Sequence, residues 1–516
     1  MTITSFASNG FTGQLVRVEV DIRRGIPGMD IIGLPDGAVL ESRERVRAAL
    51  RNSGFELPKG RILINLAPAG LRKEGASFDL SLAAAILIES GGITIKADLR
   101  VMILGELMLS GEIRPVHGVL SAVSAASAAE VGIIIIPDKN VAEGTALGWG
   151  EIYGIRNLSE LPLLLTAIYH GKANAAGYSQ AENKKNDPVD RSSIDFMDIR
   201  GLPFVKRALE IAAAGRHNVL LFGPPGGGKT MSARGLKGIL PPLDRDESIE
   251  VTRIYSTAGM LPADSGLIKN PPFREPHHSA SEEGIIGGGK TIKPGEVSLA
   301  HHGVLFLDET PEFNKNLLQS LREPVEEGRV DIARAGRSCI FPADFQLLLA
   351  ANSCPCGNLG KKEAVCVCSR KEVMSYWKKL GGALLDRIDI RIPVEPVSIN
   401  PASDSNEESS EKIRDRVEAA VVIQKERYKT EPFSRNARIS QNRLKYYCGM
   451  TPEAEKVYMD AVRKMRISSR ACVSIMKSAR TIADLRLEKG RIGQSDILEA
   501  VQHRRYGEQD FFWCKL

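Results

Sequence analysis

Val219-Leu-Leu-Phe222 runs directly into Gly223-Pro224-Pro225-Gly226-Gly227-Gly228-Lys229-Thr230, and a segment of helix-compatible composition starts at Met231. A short buried strand, a glycine loop and a helix in that order make a phosphate cradle. The glycines let backbone N–H groups wrap an anion, and the helix adds the positive end of its dipole. Lys229 would reach the β- and γ-phosphates of a nucleotide, and Thr230 would hold Mg²⁺. The acidic partner such a loop needs is Gly303-Val-Leu-Phe-Leu-Asp308-Glu309, an apolar strand ending in two carboxylates. Asp308 would hold the same Mg²⁺ and Glu309 would polarise the attacking water. Asn352 ends another apolar run, Gln346–Ala351, as expected of a polar group that orients this water. These residues point to ATP hydrolysis.

A second stretch, Gly284 to Thr291, fits the phosphate-loop pattern letter for letter. It follows polar residues rather than an apolar strand, and Pro294-Gly295 leaves no room for a helix, so it reads as a basic loop. Cys354-Pro-Cys356 and Cys366-Val-Cys368 hold four of the eight cysteines. Four thiolates form the soft set that Zn²⁺ prefers, although zinc ribbons usually space each pair by two residues. Neither His277–His278 nor His301–His302 reads as a metal site: the first lies in a polar loop, and the second precedes a buried strand.

The elements that must position this chemistry fall into three blocks. A polar stretch, 171–193, and a Ser- and acid-rich stretch, 400–412, read as a linker and a hinge. They separate an N-terminal block (1–170), a central α/β block (194–399) and a C-terminal block (413–516). The last shows helical periodicity over 415–428, 452–465, 471–486 and 495–504. It carries 22 Lys+Arg against 13 Asp+Glu, or +9 (22 − 13), while the whole chain is +6, so the remainder is −3. A basic appendage on a near-neutral body suits contact with nucleic acid. The chain's 43% apolar and 26% charged residues exclude a disordered or fibrous protein. No apolar run is long enough for a membrane helix and no secretory signal is visible, so a cytoplasmic location is expected.

The chain resembles the magnesium-chelatase-like AAA+ ATPases, specifically the ComM (YifB) family. The resemblance is carried by GLPDGAVLESRERVRAAL (33–50), INLAPAGLRKEG (64–75), GPPGGGKT (223–230), PFREPHHSAS (272–281) and GEVSLAHHGVLFLDE (295–309). It continues through ANSCPCG (351–357), LLDRIDI (384–390) and SARTIADL (478–485). It implies an α/β P-loop core with a C-terminal helical lid, assembled as a homo-hexameric ring. It further implies Asn352 as sensor 1, Arg387 as the arginine reaching a neighbouring subunit's nucleotide, and Arg480 as sensor 2 facing the phosphates. Thr310, after the acids, and Ser353 depart from the family pattern, and neither removes a functional group.

The N-terminal block resembles the Lon protease domain, a ribosomal S5 domain 2-like α+β fold, through Lys73-Glu-Gly-Ala-Ser77, LGELMLSGEIRPVHGV (104–119) and IIIIPDKN (133–140). Ser77 falls on the nucleophile's position, but the lysine position falls on Leu120, and His117 is the nearest other base. A hydroxyl without a base is a poor nucleophile, so this block is expected to lack peptidase activity.

The family resemblance implies a DNA motor driving branch migration of recombination intermediates, in homologous recombination and natural transformation, with recombination proteins as partners and no membrane. The alternative is a chelatase-type motor that remodels a protein or inserts Mg into a porphyrin. Candidate DNA contacts are Arg274, Lys290 and Lys293 in the long segment 256–298, and Arg334 and Arg337 near the turn of a hairpin expected over 329–341.

Overall fold

The computed structural model describes all residues except 94–98, 174–193, 263–264, 290–291, 335–336, 362–363, 396–406, 466, 489 and 507–516.

The central block is built on a five-stranded parallel sheet. Its order is Phe273–Arg274, Val304–Leu307, Gln346–Asn352, Val219–Gly223 and Ile390–Pro393. Every residue of Val219–Gly223 is buried, because this strand sits inside the sheet with helix Lys229–Ile239 against it, while helix Pro203–Gly215 packs on that helix and on strand Ile390–Pro393. Pairing is in register: Gly223 lies beside Asn352, and Leu307 beside Leu349. The start of the glycine loop and two polar strand ends, Asn352 and Asp308-Glu309, are thereby brought to one edge of the sheet, as the sequence requires.

The C-terminal block is helical: Ser410–Arg427, Pro452–Met465, Ser469–Leu485 and Gln494–Arg504. Its apolar faces and those of the central block form one continuous core running from Phe196 and Leu209 through Ile392 to Ile413, Ile482 and Ile497. The first helix begins inside the stretch read as a hinge, whose residues 400–406 lie outside the described part. Ser410 buries its hydroxyl and accepts from the Phe196 N–H (2.8 Å), while Glu407 pairs with Lys206. Residues 407–412 are therefore packed structure, because their acids meet cations that the polar composition did not reveal.

The N-terminal block is a seven-stranded mixed sheet, ordered Gly28–Ile32, Arg61–Ala67, Thr12–Arg23, Thr2–Asn9, Arg100–Ile103, Ile133–Pro137 and Glu151–Ile155. Helices Gly37–Asn52, Asp79–Glu89 and Val119–Ala128 pack around it. It docks on helix Arg245–Ala258 of the central block. Arg253 lies over the Phe11 ring (4.2 Å) and donates to the Phe11 carbonyl (3.2 Å). Ser256 accepts from the Gly118 N–H (2.8 Å) and donates to Glu143. Glu143 is buried there, which raises its carboxyl above the usual range.

Candidate nucleotide site

The phosphate loop is glycine-built for two physical reasons. Gly226 and Gly228 take φ of +84° and +86°, where a side chain would be strained. A Cβ at Gly223 would lie 2.1 Å from the Val394 carbonyl oxygen, so the adjacent chain can approach only a glycine. Helix Lys229–Ile239 starts directly after Gly228, which aims its N-terminus and the first loop N–H groups into the cradle. Pro225 is exposed on the loop, Pro224 and Gly227 are buried, with a Cβ at Gly227 falling 3.1 Å from the Val394 carbonyl oxygen, and Met231 is exposed on the first turn of the helix.

Lys229 is buried and donates to the carbonyls of Gly223 and Pro224 (2.9 Å each) and to Asn352 Oδ1 (3.1 Å). Burial lowers its ammonium from the ordinary lysine value, and the carboxylates of Asp308 and Glu309 oppose that shift. Thr230 donates its hydroxyl to Asp308 Oδ2 (2.7 Å), so the two groups expected to share Mg²⁺ already meet. Glu309 stands exposed at the strand end with φ +48°, its N–H donating to Asp308 Oδ1 (2.8 Å). That left-handed turn directs the chain away after the acid and leaves the carboxylate open to water. Thr310 is buried and donates to both Leu307 O (2.9 Å) and Ala350 O (3.0 Å). The departure from the family pattern thus ties the acidic strand to the strand ending in Asn352.

The remaining expected groups are not brought to this edge. Arg480 is 3% exposed and turned into the lid, donating to Asp484 (3.2 Å), Gly490 O (2.6 Å) and Glu488 O (2.8 Å). With these donors committed to groups of its own domain, it does not face the phosphates of this chain. Arg387 lies before strand Ile390–Pro393, at the opposite end of the sheet from the loop, paired with Glu326.

The four cysteines converge. The sulfurs of Cys354, Cys356, Cys366 and Cys368 all lie within 4.8 Å of one another, with Cys354 Sγ 3.4 Å from Cys356 and 3.6 Å from Cys366. That is the donor set of a tetrahedral zinc site, despite the one-residue spacing within each pair. Backbone N–H donation from Asn358 pulls the Cys356 thiol down to about 6. This loop leans on the phosphate loop: a Cβ at Gly357 would lie 3.1 Å from the Pro225 ring.

His301 and His302 form a cluster with Glu250, which sequence spacing gave no means of finding. His301 Nδ1 accepts from the Asp344 N–H (2.9 Å), and His302 Nδ1 faces the Arg216 guanidinium (3.1 Å). Both Nδ1 atoms are therefore acceptors, so the protons sit on Nε2 and are donated to one Glu250 oxygen (2.9 and 2.8 Å). A cation on the two Nε2 atoms would need those protons removed with no acceptor behind either ring. The cluster is a hydrogen-bonded brace. Burial pushes the His301 imidazole down to about 4, and the two histidines hold the Glu250 carboxyl below its usual range.

Of the five candidate DNA contacts, Arg274 is committed elsewhere. It makes a two-pronged pair with Glu296 (2.6 and 2.8 Å) on a half-buried strand, a geometry that leaves its fork filled. Lys293 is exposed on a short hairpin, Gly287–Gly288 with Lys293–Pro294. Lys290 lies outside the described residues. Arg334 and Arg337 are paired positions closing the hairpin Arg329–Arg334 with Arg337–Pro342, as the alternation predicts, and their side chains lie outside the described part.

In the N-terminal block Leu120 is fully buried and its N–H donates to Glu143 Oε1 (2.8 Å). Among the described residues no base meets the Ser77 hydroxyl: Lys73 is spent on the Gly33 and Pro68 carbonyls, and the His117 ring lies against Gly259.

Sheet order, loop and acidic strand define a P-loop AAA+ protein with a C-terminal helical domain. The magnesium chelatase subunit ChlI family matches residues 195–402, its ChlI subunit domain matches 18–140, and its C-terminal domain matches 407–504. The chain is 38% identical over 502 residues to the uncharacterized protein YifB of Salmonella typhimurium, covering 96% of each. It is 37% identical over 515 residues to competence protein ComM of Haemophilus influenzae, covering 97% of each. The magnesium-chelatase 67 kDa subunit of Heliobacterium mobile is 29% identical over 185 residues, which is 30% of this chain and 28% of that one. The chain belongs to the ComM/YifB family of magnesium-chelatase-like AAA+ ATPases.

Proposed function

We propose that the protein is an ATP-driven hexameric ring that moves on DNA and promotes branch migration of recombination intermediates, in homologous recombination and natural transformation. The observation carrying the hydrolytic part is the meeting of Lys229 with Asn352 and of Thr230 with Asp308 at one sheet edge. On nucleotide entry Lys229 exchanges its two loop carbonyls for phosphate oxygens, while Asn352 stays within reach of the same ammonium. Thr230 and Asp308 would hold Mg²⁺, which would neutralise charge developing on phosphate oxygens. Glu309, exposed beside them, accepts the proton of the attacking water.

The DNA part is supported by the full-length likeness to a competence protein and by the basic C-terminal block. The exposed Lys293 hairpin and the arginine-tipped hairpin 329–342 are the loops that would track phosphates without reading bases. The cysteine loop holds Zn²⁺ as a structural ion, and the N-terminal block guides or assembles rather than cleaves. A porphyrin-metallating motor ranks second, because the Heliobacterium mobile chelatase subunit matches 30% of this chain whereas the competence protein matches 97% of it.

The test is a mobile Holliday junction incubated with protein and ATP, read on a native gel beside Lys229→Ala. ATP-dependent strand separation by the unsubstituted protein alone is expected. An active ATPase that leaves the junction intact would overturn the DNA reading.

A further inference from the structure

Asn352 is the last residue of its strand and the last to pair with its neighbour, opposite Gly223, so beyond it no sheet ladder fixes the chain. A carbonyl that leaves a sheet inside the molecule needs another donor. Ser353 finds one 24 residues on, where the Trp377 indole N–H donates to its carbonyl (3.1 Å). Trp377 is 1% exposed, and its ring meets Phe222 edge-on with centroids 6.2 Å apart. Phe222 is the residue before Gly223. One indole therefore touches both the strand that enters the phosphate loop and the chain that leaves Asn352.

Helix Arg370–Lys378 presents this indole. The helix starts directly after Cys368: Ser369 caps it, and the Ser369 N–H donates in return to Glu372 (2.7 Å). Cys354, at the other end of the cysteine loop, is two residues past Asn352. Loop and helix thus form a circuit that begins and ends at the same strand tip. Tyr376, beside Trp377 on the helix, is also buried. Burial and the Glu312 carboxylate push its phenol above the usual tyrosine range, against the Asn352 N–H. Its proton stays in place, beside both the Asn352 backbone and the acids of Glu309 and Glu312.

We propose that Trp377 is the residue that positions Asn352 against the phosphate loop, and that Tyr376 is a second hold on the same strand tip. The proposal rests on the hydrolytic reading above. An indole has one N–H, and here Ser353 takes it, so Trp377 acts on a nucleotide only through what it holds. In turn, the Asn352 amide can orient a water only if its backbone stays fixed while Lys229, now 3.1 Å from its oxygen, turns to the nucleotide. A displacement of about 1 Å at such a group costs up to about 100-fold in rate.

Trp377→Phe keeps a ring against Phe222 and deletes the N–H. It is expected to bind a fluorescent ATP analogue as the unsubstituted chain does, to keep its KM for ATP, and to lose on the order of tenfold in kcat. Tyr376→Phe removes a single oxygen from the same helix and should show the same split, with a several-fold loss. The deciding measurement adds each substitution to Asn352→Ala. A residue that works through Asn352 then has nothing left to lose, so both double variants should turn over at the rate of Asn352→Ala alone. Losses that multiply, an unchanged kcat in either single variant, or a loss of ATP binding that matches the loss of turnover overturns the proposal. If circular dichroism shows that Trp377→Phe does not fold, Tyr376→Phe decides by the same outcomes. Full turnover by Asn352→Ala would instead overturn the hydrolytic reading, which gives that amide its task.

Discussion

The brace beneath the acidic strand makes stability depend on pH in a calculable window. His301 is 3% exposed and its imidazole is held at about 4, against an ordinary 6.5. A depressed histidine means that between these values the unfolded chain binds a proton the folded chain refuses. Stability is therefore complete above 6.5 and falls as the pH drops toward 4. Each pH unit inside the window is worth about 1.4 kcal/mol, so going from pH 7 to pH 5 should cost about 2 kcal/mol through this one ring. Glu250 and Asp344, the carboxylates facing His301, are both held below their usual range and stay ionised there. The assay is urea unfolding of the full chain at both pH values, for the parent and for His301→Gln. Trp149→Phe and Trp513→Phe would leave Trp377 of the central core as the reporter. The parent should lose about 2 kcal/mol more than His301→Gln on acidification. Equal losses would refute the reasoning, because every other titrating group is common to both proteins.

The remaining predictions concern the site itself. Lys229→Met should abolish measurable ATP turnover while leaving the circular-dichroism spectrum unchanged, since its three hydrogen bonds are local to the loop and Asn352; retained turnover would exclude this loop. Glu309→Gln should keep ATP binding, measured by fluorescent-nucleotide titration, and lose roughly 100-fold or more in turnover. Purified protein should contain one zinc per chain by metal analysis, and Cys354→Ser should lose it. Because Gly357 of that loop packs on Pro225, the same substitution or chelation should weaken ATP binding several-fold; metal-free protein with unaltered ATP affinity would contradict both parts.

The nucleotide edge was legible in the sequence because each of its parts is local. A buried strand, three glycines and a lysine, or four apolar residues and two acids, state their own structure, and the parallel pairing of Gly223 with Asn352 only confirms where they meet. The four C-terminal helices were legible for the same reason, since their 3.6-residue period survives without tertiary context. What escaped depends on distant pairing. Glu250 lies 51 residues from His301, and Arg274 carried no mark of Glu296 until the chain folded. Arg480 sits in the motif that implied a nucleotide contact, yet Asp484, one turn on, and two carbonyls satisfy it within the lid. Composition likewise took 407–412 for hinge, because a run of acids looks solvated until Lys206 and Arg416 are seen to face it.

Helix Arg245–Ala258 is held at both flanks. Glu250 clasps the two histidines at the foot of the acidic strand, while Arg253 and Ser256, one and two turns later, are fastened to Phe11, Gly118 and Glu143 of the N-terminal sheet. A rod gripped in this way ties the strand bearing Asp308 and Glu309 to the seven-stranded block, so a shift of that strand would reach the N-terminal sheet through His301, His302 and Glu250. In a ring of such chains the N-terminal blocks would keep time with the state of the acidic strand beneath each of them.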